Sequence, residues 1–393
     1  MSATLPLFGP PQGERELAQT VDIIAQAFAM PPEEVRQRIV LEGSETRVLR
    51  AGDGVTATAA LIPMGQWFGG RRVPTAGISA VGVAPIHRGQ GAGTRLMEEM
   101  LRLARARGFL LATLYPSSQR LYRRVGFEQA GARVEHRVRM SGIEVQERSL
   151  ALRPVEASDL PAIHDVYGRH ARLQQGWLDR GPYVWTRVTH PRTELAYGYL
   201  VEGSAGVEGY LYLTRRALPA SYRQELNLTD LIALTPAAAR RLLGFLGEHR
   251  ALTTEVLWRS GPADPLLFLL NEQTYESRFL DRWMLRVLDV PAALQARGYP
   301  EGSSGALHLE VEDEFFPENR GRFVLEVSEG EAEVREGGDG DLKLHARALA
   351  PLYSGFLAPS ALQLAGALTA GEETLRTATA LFSGPPPAMP DIF

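Results

Sequence analysis

The sequence has no cysteine and only one lysine, Lys343, in 393 residues. Without cysteine there is no disulfide, no thiolate nucleophile and no cysteine metal site, and no metal is expected. No apolar run reaches the roughly 18 residues of a membrane span. Met1–Phe8 shows no basic stretch followed by an apolar one, so no signal peptide is expected. The default expectation is a cytoplasmic protein without membrane or nucleic-acid partners. What is present is ordinary for a globular chain: 45% apolar and 22% charged residues. The length exceeds one core and implies two or three domains. The net charge of -4 is unevenly spread. Residues 1–140 carry 18 Arg against 12 Asp+Glu, and residues 290–393 carry 7 Lys+Arg against 16 Asp+Glu. A basic N-terminal part suits a phosphate-bearing ligand and an acidic C-terminal part a cation; solvated surface explains both equally well.

Three segments follow along the chain. In 1–145, apolar positions Val21, Ile24, Ala25 and Phe28 mark a helix that Pro31-Pro32 ends. Strands are expected at Arg47–Leu49 and Val55–Ile62, joined by a Gly-Asp-Gly turn, and at Thr75–Val83, which Pro85 stops. A helix from about Gly93 to Arg107, capped by Gly108, leads to a short apolar strand, Phe109–Tyr115. Ser117 is placed as cap of a helix to Arg124, and Phe127 opens another strand. This is a βαβ unit. In 146–288, a helix begins near Ser158, strands are expected at Leu195–Val201, Gly209–Thr214 and Glu225–Leu234, and a helix at Pro236–His249. Thr254–Trp258 and Trp283–Val287 are the expected closing strands. The element order echoes the first segment, as in a diverged duplication. In 289–393, alternating strands precede helices, an α+β pattern. The tail from Gly384 to Phe393 is Pro-rich and extended.

The stretch Val81-Gly82-Val83-Ala84-Pro85-Ile86-His87-Arg88-Gly89-Gln90-Gly91-Ala92-Gly93 carries the chemistry. A strand enters a loop with glycines spaced by two, and a helix follows. Such glycines let backbone amides approach a ligand closely. The unpaired amides of a helix's first turn grip a pyrophosphate. A nucleotide P-loop would need Gly-Lys-Ser/Thr, which is absent. A dinucleotide fingerprint would need Gly-x-Gly-x-x-Gly opening the fold with an acidic residue some 20 positions on, and this loop fits that poorly.

The pattern Arg88-x-x-Gly91-x-Gly93 after an apolar strand resembles the pyrophosphate loop of the GNAT acetyltransferases. With Tyr115-Pro116-Ser117-Ser118-Gln119-Arg120-Leu121-Tyr122-Arg123-Arg124-Val125-Gly126-Phe127, the total length and the terminal Phe393, it resembles the Eis (enhanced intracellular survival) subfamily. The resemblance implies an α/β (α+β) chain of two tandem GNAT-like domains, with mixed central sheets flanked by helices, and a C-terminal sterol-carrier-like domain. It implies acetyl transfer from acetyl-CoA to a primary amine (aminoglycoside, polyamine or lysine-type) by direct attack, in a homohexamer. The cofactor contacts it implies are the amides of Val81 and Val83, the loop residues Arg88, Gly89, Gly91, Ala92 and Gly93, and Ser117. It implies Tyr122 as general acid and the main-chain carboxylate of Phe393 as general base. Phe28, Trp67 and Asp391 are candidates for the acceptor pocket. Relatives place an acidic residue in the first helical region; here that region is Ala25–Pro31, and Asp22 is the nearest carboxylate. The second segment, with Leu234-Thr235-Pro236 in place of a glycine loop, is not expected to bind CoA.

Plainer readings stand beside these. Tyr122, Phe28 and Trp67 suit an ordinary core, Ser117 a helix cap, and Phe393 a hydrophobic anchor. A chain of this kind could instead be a non-catalytic CoA- or lipid-binding regulator.

Overall fold

The structure, a computed structural model, describes residues 7–52, 54–191, 194 and 196–393. Asp53 of the Gly-Asp-Gly turn, Leu195 at the start of one expected strand, and Met1–Pro6 lie outside the described residues. Among the described residues the first two segments share a single thirteen-stranded sheet, and the third builds a five-stranded sheet of its own. No described helix is long and apolar enough to cross a membrane.

The two halves of the large sheet are joined by an exchange of strands. Trp283–Val287 is the expected closing strand of the second segment. The strand that holds it, Tyr275–Val287, lies instead between Leu111–Leu114 and Glu128–Arg139 of the first. Glu128–Arg139 in turn pairs on its other edge with Thr253–Ser260 of the second. The reason is burial. Trp283, Met284, Leu285 and Val287 are fully buried on both faces of the strand, so they require a central position with neighbours on each side. The polar half, Tyr275–Arg282, runs on along Glu128–Arg139 with its side chains largely exposed.

Within the first segment, Gly13–Phe28 starts earlier than its apolar periodicity suggests, because Glu14 and Glu16 in the first turn favour the helix N-terminus. Glu16 also pairs with the buried Arg50 at 2.7 Å. Gly54–Phe68 and Arg71–Val83 form a long hairpin. Ala92–Ala106 buries Leu96, Met97, Met100, Leu101 and Ala104 against the sheet. In the second segment, Pro182–Thr189 is a helix that the sequence did not announce, opened by Pro182 at its first position. The third unit stacks its sheet order Glu331–Glu336, Gly321–Ser328, Gly305–Glu312, Leu342–His345, Leu368–Thr369 beside the helix Ala346–Ser354, which packs on the large sheet. A buried ion pair, Arg286 Nη2 to Asp313 Oδ2 at 2.5 Å, ties this unit to the exchanged strand.

Candidate active site

The site begins with a defect in a strand. Ala80 in Arg71–Val83 has φ +51°, and the pairing with Gly54–Phe68 slips a register between Thr58 and Ala60. A left-handed alanine costs of the order of 1–3 kcal/mol, which a bulge in a well-packed hairpin can sustain. On the other edge, parallel pairing with Leu111–Leu114 covers only Thr75–Gly77. Beyond Gly77 the two strands part. Gly82 pairs with Thr58, and the Ala84 amide donates to the Thr56 carbonyl at 2.9 Å. By the alternation of a strand, the amides of Val81 and Val83 therefore face the opening.

The loop after this strand turns through Pro85–His87 into Ala92–Ala106. Gly89 and Gly91 have φ of +77° and +83°, conformations that suit glycine. Nothing of the protein lies within 4 Å of where their Cβ atoms would be, so the space in front of both is open. Gly91 is the N-cap, no side chain caps the helix, and its first turn holds no acidic residue. The free amides and the positive end of a 15-residue helix thus face open space. Arg88 is exposed and bonds back to the Val83 carbonyl. Gly93 packs the helix start close to Val83 and Leu121. The equivalent helix of the second segment, Pro236–Gly247, is closed to anions. Thr235 accepts from the Ala238 amide at 3.1 Å, and the Glu208 carboxylate sits on the Thr235 hydroxyl at 2.6 Å.

Tyr122 lies in Gln119–Arg123 with 2% exposure, against Phe127. Burial raises its pKa, and a hydrogen bond with Ser117 opposes this. The phenol therefore keeps its proton at neutral pH. Ser117 is not the cap of this helix: the N-cap is Ser118, one residue on, which leaves Ser117 exposed and facing Tyr122.

The tail is bound along its length. The Ala388 amide donates to Gln175 O, and Ala132 N to Pro387 O. Arg133 Nε donates to Pro390 O, and the Tyr115 hydroxyl to the carbonyls of Met389 and Asp391 at 2.5 and 2.9 Å. Asp391 joins a buried cluster in which Arg180, 1% exposed at its side chain, bridges Asp391 at 2.8 Å and Asp230 at 2.5 Å. Tyr210 donates to Asp230, and Tyr167 to Asp391. Burial would lower the Arg180 pKa, but the two carboxylates outweigh it and raise it well above the usual value. The Phe393 ring, two residues on, lies beside Gly77. A Cβ on Gly77 would sit 3.1 Å from the ring and 2.5 Å from the Met64 methyl. The Tyr115 ring centroid is 6.0 Å from that of Phe393. Phe393 thus ends at the point where the two strands part.

A cavity of about 1170 Å³ opens next to the tail. Phe28 and Met30 line it from the first segment, Trp258 and Asp230 from the second, and Asp391 and Ile392 from the tail. It adjoins the strand through Gly13–Phe28, since Ile23 and Ala27 lie against Gly82. Of the three residues expected to line the pocket, Phe28 and Asp391 do so. Trp67 does not: it is 9% exposed and packed in the core against Ile163, Tyr167 and Trp177, with Arg172 over its ring. Asp391 is committed to Arg180, so it is a tether of the tail before it is a charge in the pocket. Asp22 faces Gln26 on the helix surface and does not line the cavity; Glu34, paired with Arg38, does. Gly77, Tyr115, Arg180 and Asp230 were not singled out as site residues in the sequence, because each meets the tail or its arginine anchor across more than 40 residues.

A bulged, splayed strand pair, a glycine loop on an uncapped helix and a buried tyrosine beside the gap are the features of an acyltransferase fold. Comparison with known proteins makes this specific. Residues 11–130 and 176–287 each match an acetyltransferase (GNAT) domain family, and residues 290–390 match a sterol carrier protein domain family. An N-acetyltransferase of Streptomyces griseus is 32% identical over 358 residues, covering 83% of each chain. The N-acetyltransferase Eis of Mycobacterium tuberculosis is 27% identical over 348 residues, 80% of this chain and 79% of that one. A crystal structure of a GCN5-related N-acetyltransferase from Anabaena variabilis superposes with a TM-score of 0.92 at 37% identity, over 98% of this chain and all of the other. The chain belongs to the GNAT N-acetyltransferases, and within them to the Eis-like enzymes with a C-terminal sterol-carrier-like domain.

Proposed function

We propose that the chain transfers an acetyl group from acetyl-CoA to a primary amine by direct attack, at the gap between Arg71–Val83 and Leu111–Leu114. The observation that carries this reading is the meeting at one gap of three things: an open helix N-terminus, strand amides facing inward, and the ring of Phe393. Acetyl-CoA supplies an activated acyl thioester. The amides of the first turn from Ala92, with Arg88, hold the pyrophosphate; Gly89 and Gly91 let it approach. The Val81 and Val83 amides orient the pantetheine end and polarise the acyl carbonyl. The Phe393 carboxylate takes a proton from the incoming ammonium, directly or through water. Tyr122 gives its proton to the departing sulfur, with Ser117 fixing the hydroxyl. The second segment contributes a wall of the acceptor cavity and no cofactor site. An assay of thiol release from acetyl-CoA across a panel of amines tests the reaction. No release with any amine overturns it.

Gly91→Glu should abolish acetyl-CoA binding, because a side chain and a negative charge would occupy the space in front of the first turn. Calorimetry on the folded variant checks this, and unchanged affinity would refute the loop assignment. The Eis-like resemblance further supports assembly as a hexamer. Light scattering at micromolar concentration should give six times the chain mass of 43.1 kDa; a monomeric mass rules this out.

A further inference from the structure

We propose that the amine acceptor also carries an anionic group, and that Arg187 is the residue that selects it; the inference rests on the acetyltransferase reading above. The acceptor cavity is lined by many arginines, and nearly all are spoken for. Arg38 pairs with Glu34 at 2.9 Å, Arg137 with Glu255 at 2.6 Å, and Arg259 with Glu135 at 2.7 Å. Arg216 pairs with Glu225. Arg133 and Arg278 reach Asp281 and Glu135 at 3.5 Å. Arg187 is different. Among the described residues no carboxylate, carbonyl or hydroxyl accepts from it, and its Nε is buried without a hydrogen-bond partner. Its guanidinium lies over the Tyr183 ring, 5.9 Å from the centroid.

Arg187 sits in the last turn of Pro182–Thr189. That helix is fixed by its buried residues Tyr183, Val184 and Val188, and by the Thr229 hydroxyl, which donates to Val188 O at 2.7 Å. Arg187 lines the cavity, and the helix C-terminus stabilises its charge. An unmatched buried donor is costly, and a ligand anion would satisfy it with paired charge-assisted hydrogen bonds. On the same wall Glu34, Glu135 and Glu225 pair with arginines, Asp230 and Asp391 share Arg180, and Glu194 and Asp264 have no arginine partner among the described residues. His170, also on the wall, is held neutral by burial, which lowers its pKa. Arg187 is therefore the lining arginine left to pair with an anion, and the acceptor would bring that anion.

Matched pairs of acceptors test this. The carboxylate arm compares ornithine with 1,4-diaminobutane, lysine with 1,5-diaminopentane and arginine with agmatine. The phosphate arm compares O-phosphoethanolamine with ethanolamine. Kinetics of thiol release with full-length enzyme and acetyl-CoA should favour the anionic member of at least one arm by roughly 10-fold or more in kcat/KM. Arg187→Met keeps the apolar stem on Tyr183. It should remove that preference while leaving acetyl-CoA affinity and turnover of the neutral or cationic member within about twofold, and Arg187→Lys should restore part of it. Equal or better use of the members lacking the anion overturns the inference and leaves the acetyltransferase reading standing. So does a preference that survives in Arg187→Met. No thiol release with any amine overturns both.

Discussion

An enzyme extended by one or two residues beyond Phe393 is expected to lose kcat by roughly 10²- to 10⁴-fold, the range a positioned general base contributes. An α-carboxylate in water is a weak base, with a reference pKa of about 3.5. Its use for this purpose needs a setting that holds it in place and away from bulk water. The tail supplies one: six backbone groups between Pro387 and Asp391 are bonded to Ala132, Arg133, Gln175 and Tyr115. The Asp391 side chain is locked to Arg180. The register of the tail is thus set upstream of its last two residues. An added residue moves the carboxylate beyond the gap and leaves these contacts untouched. Acetyl-CoA affinity by calorimetry and the thermal midpoint should therefore match the parent enzyme. Full activity in the extended enzyme would sink the assignment.

Tyr122→Phe should lower kcat by roughly 10²-fold or more, which corresponds to about 2.7 kcal/mol of barrier. The substitution keeps the ring in its place 6.0 Å from Phe127 and removes only the hydroxyl that Ser117 holds. Acetyl-CoA binding and fold should persist, so the loss should fall in kcat and not in affinity. The sign of the pKa shift fits the role: burial raises the phenol's pKa, so it stays protonated and able to donate throughout the neutral range. A burst experiment or a steady-state kcat within twofold of the parent would make Tyr122 a core residue and nothing more.

Much of the cofactor side was legible in the chain. The loop is a local object: Gly89, Gly91 and Gly93 lie within five residues, and their backbone angles and the helix they open depend on their own neighbours. The apolar strand before it and the amphipathic helix after it follow from periodicity, and the observed Ala92–Ala106 differs from expectation by a residue at each end. The cap of the next helix was misplaced by one residue. Ser117 and Ser118 are chemically alike, and only the backbone angles at Ser118 decide between them.

The acceptor side was far less legible. Trp67 has the chemistry of a pocket residue but is turned inward, because the second-segment stretch around Trp177 pairs with its backbone and packs over it. Arg187 lies on a helix that carried no sequence signal, and its significance comes from the pairing of other arginines with carboxylates from remote strands. The exchange of Tyr275–Val287 into the first half of the sheet could not be read from that strand's own residues, which announce burial without naming their neighbours. By itself, then, the sequence determined the acetyltransferase class, the glycine loop and the strand and helix on either side of it, because these rest on contacts within a few residues. The tertiary structure decided which strands are neighbours, where the tail ends and which charges face the acceptor. Those outcomes depend on pairings across 40 to more than 200 residues, and burial and charge neutralisation choose among such pairings only once the whole chain is packed.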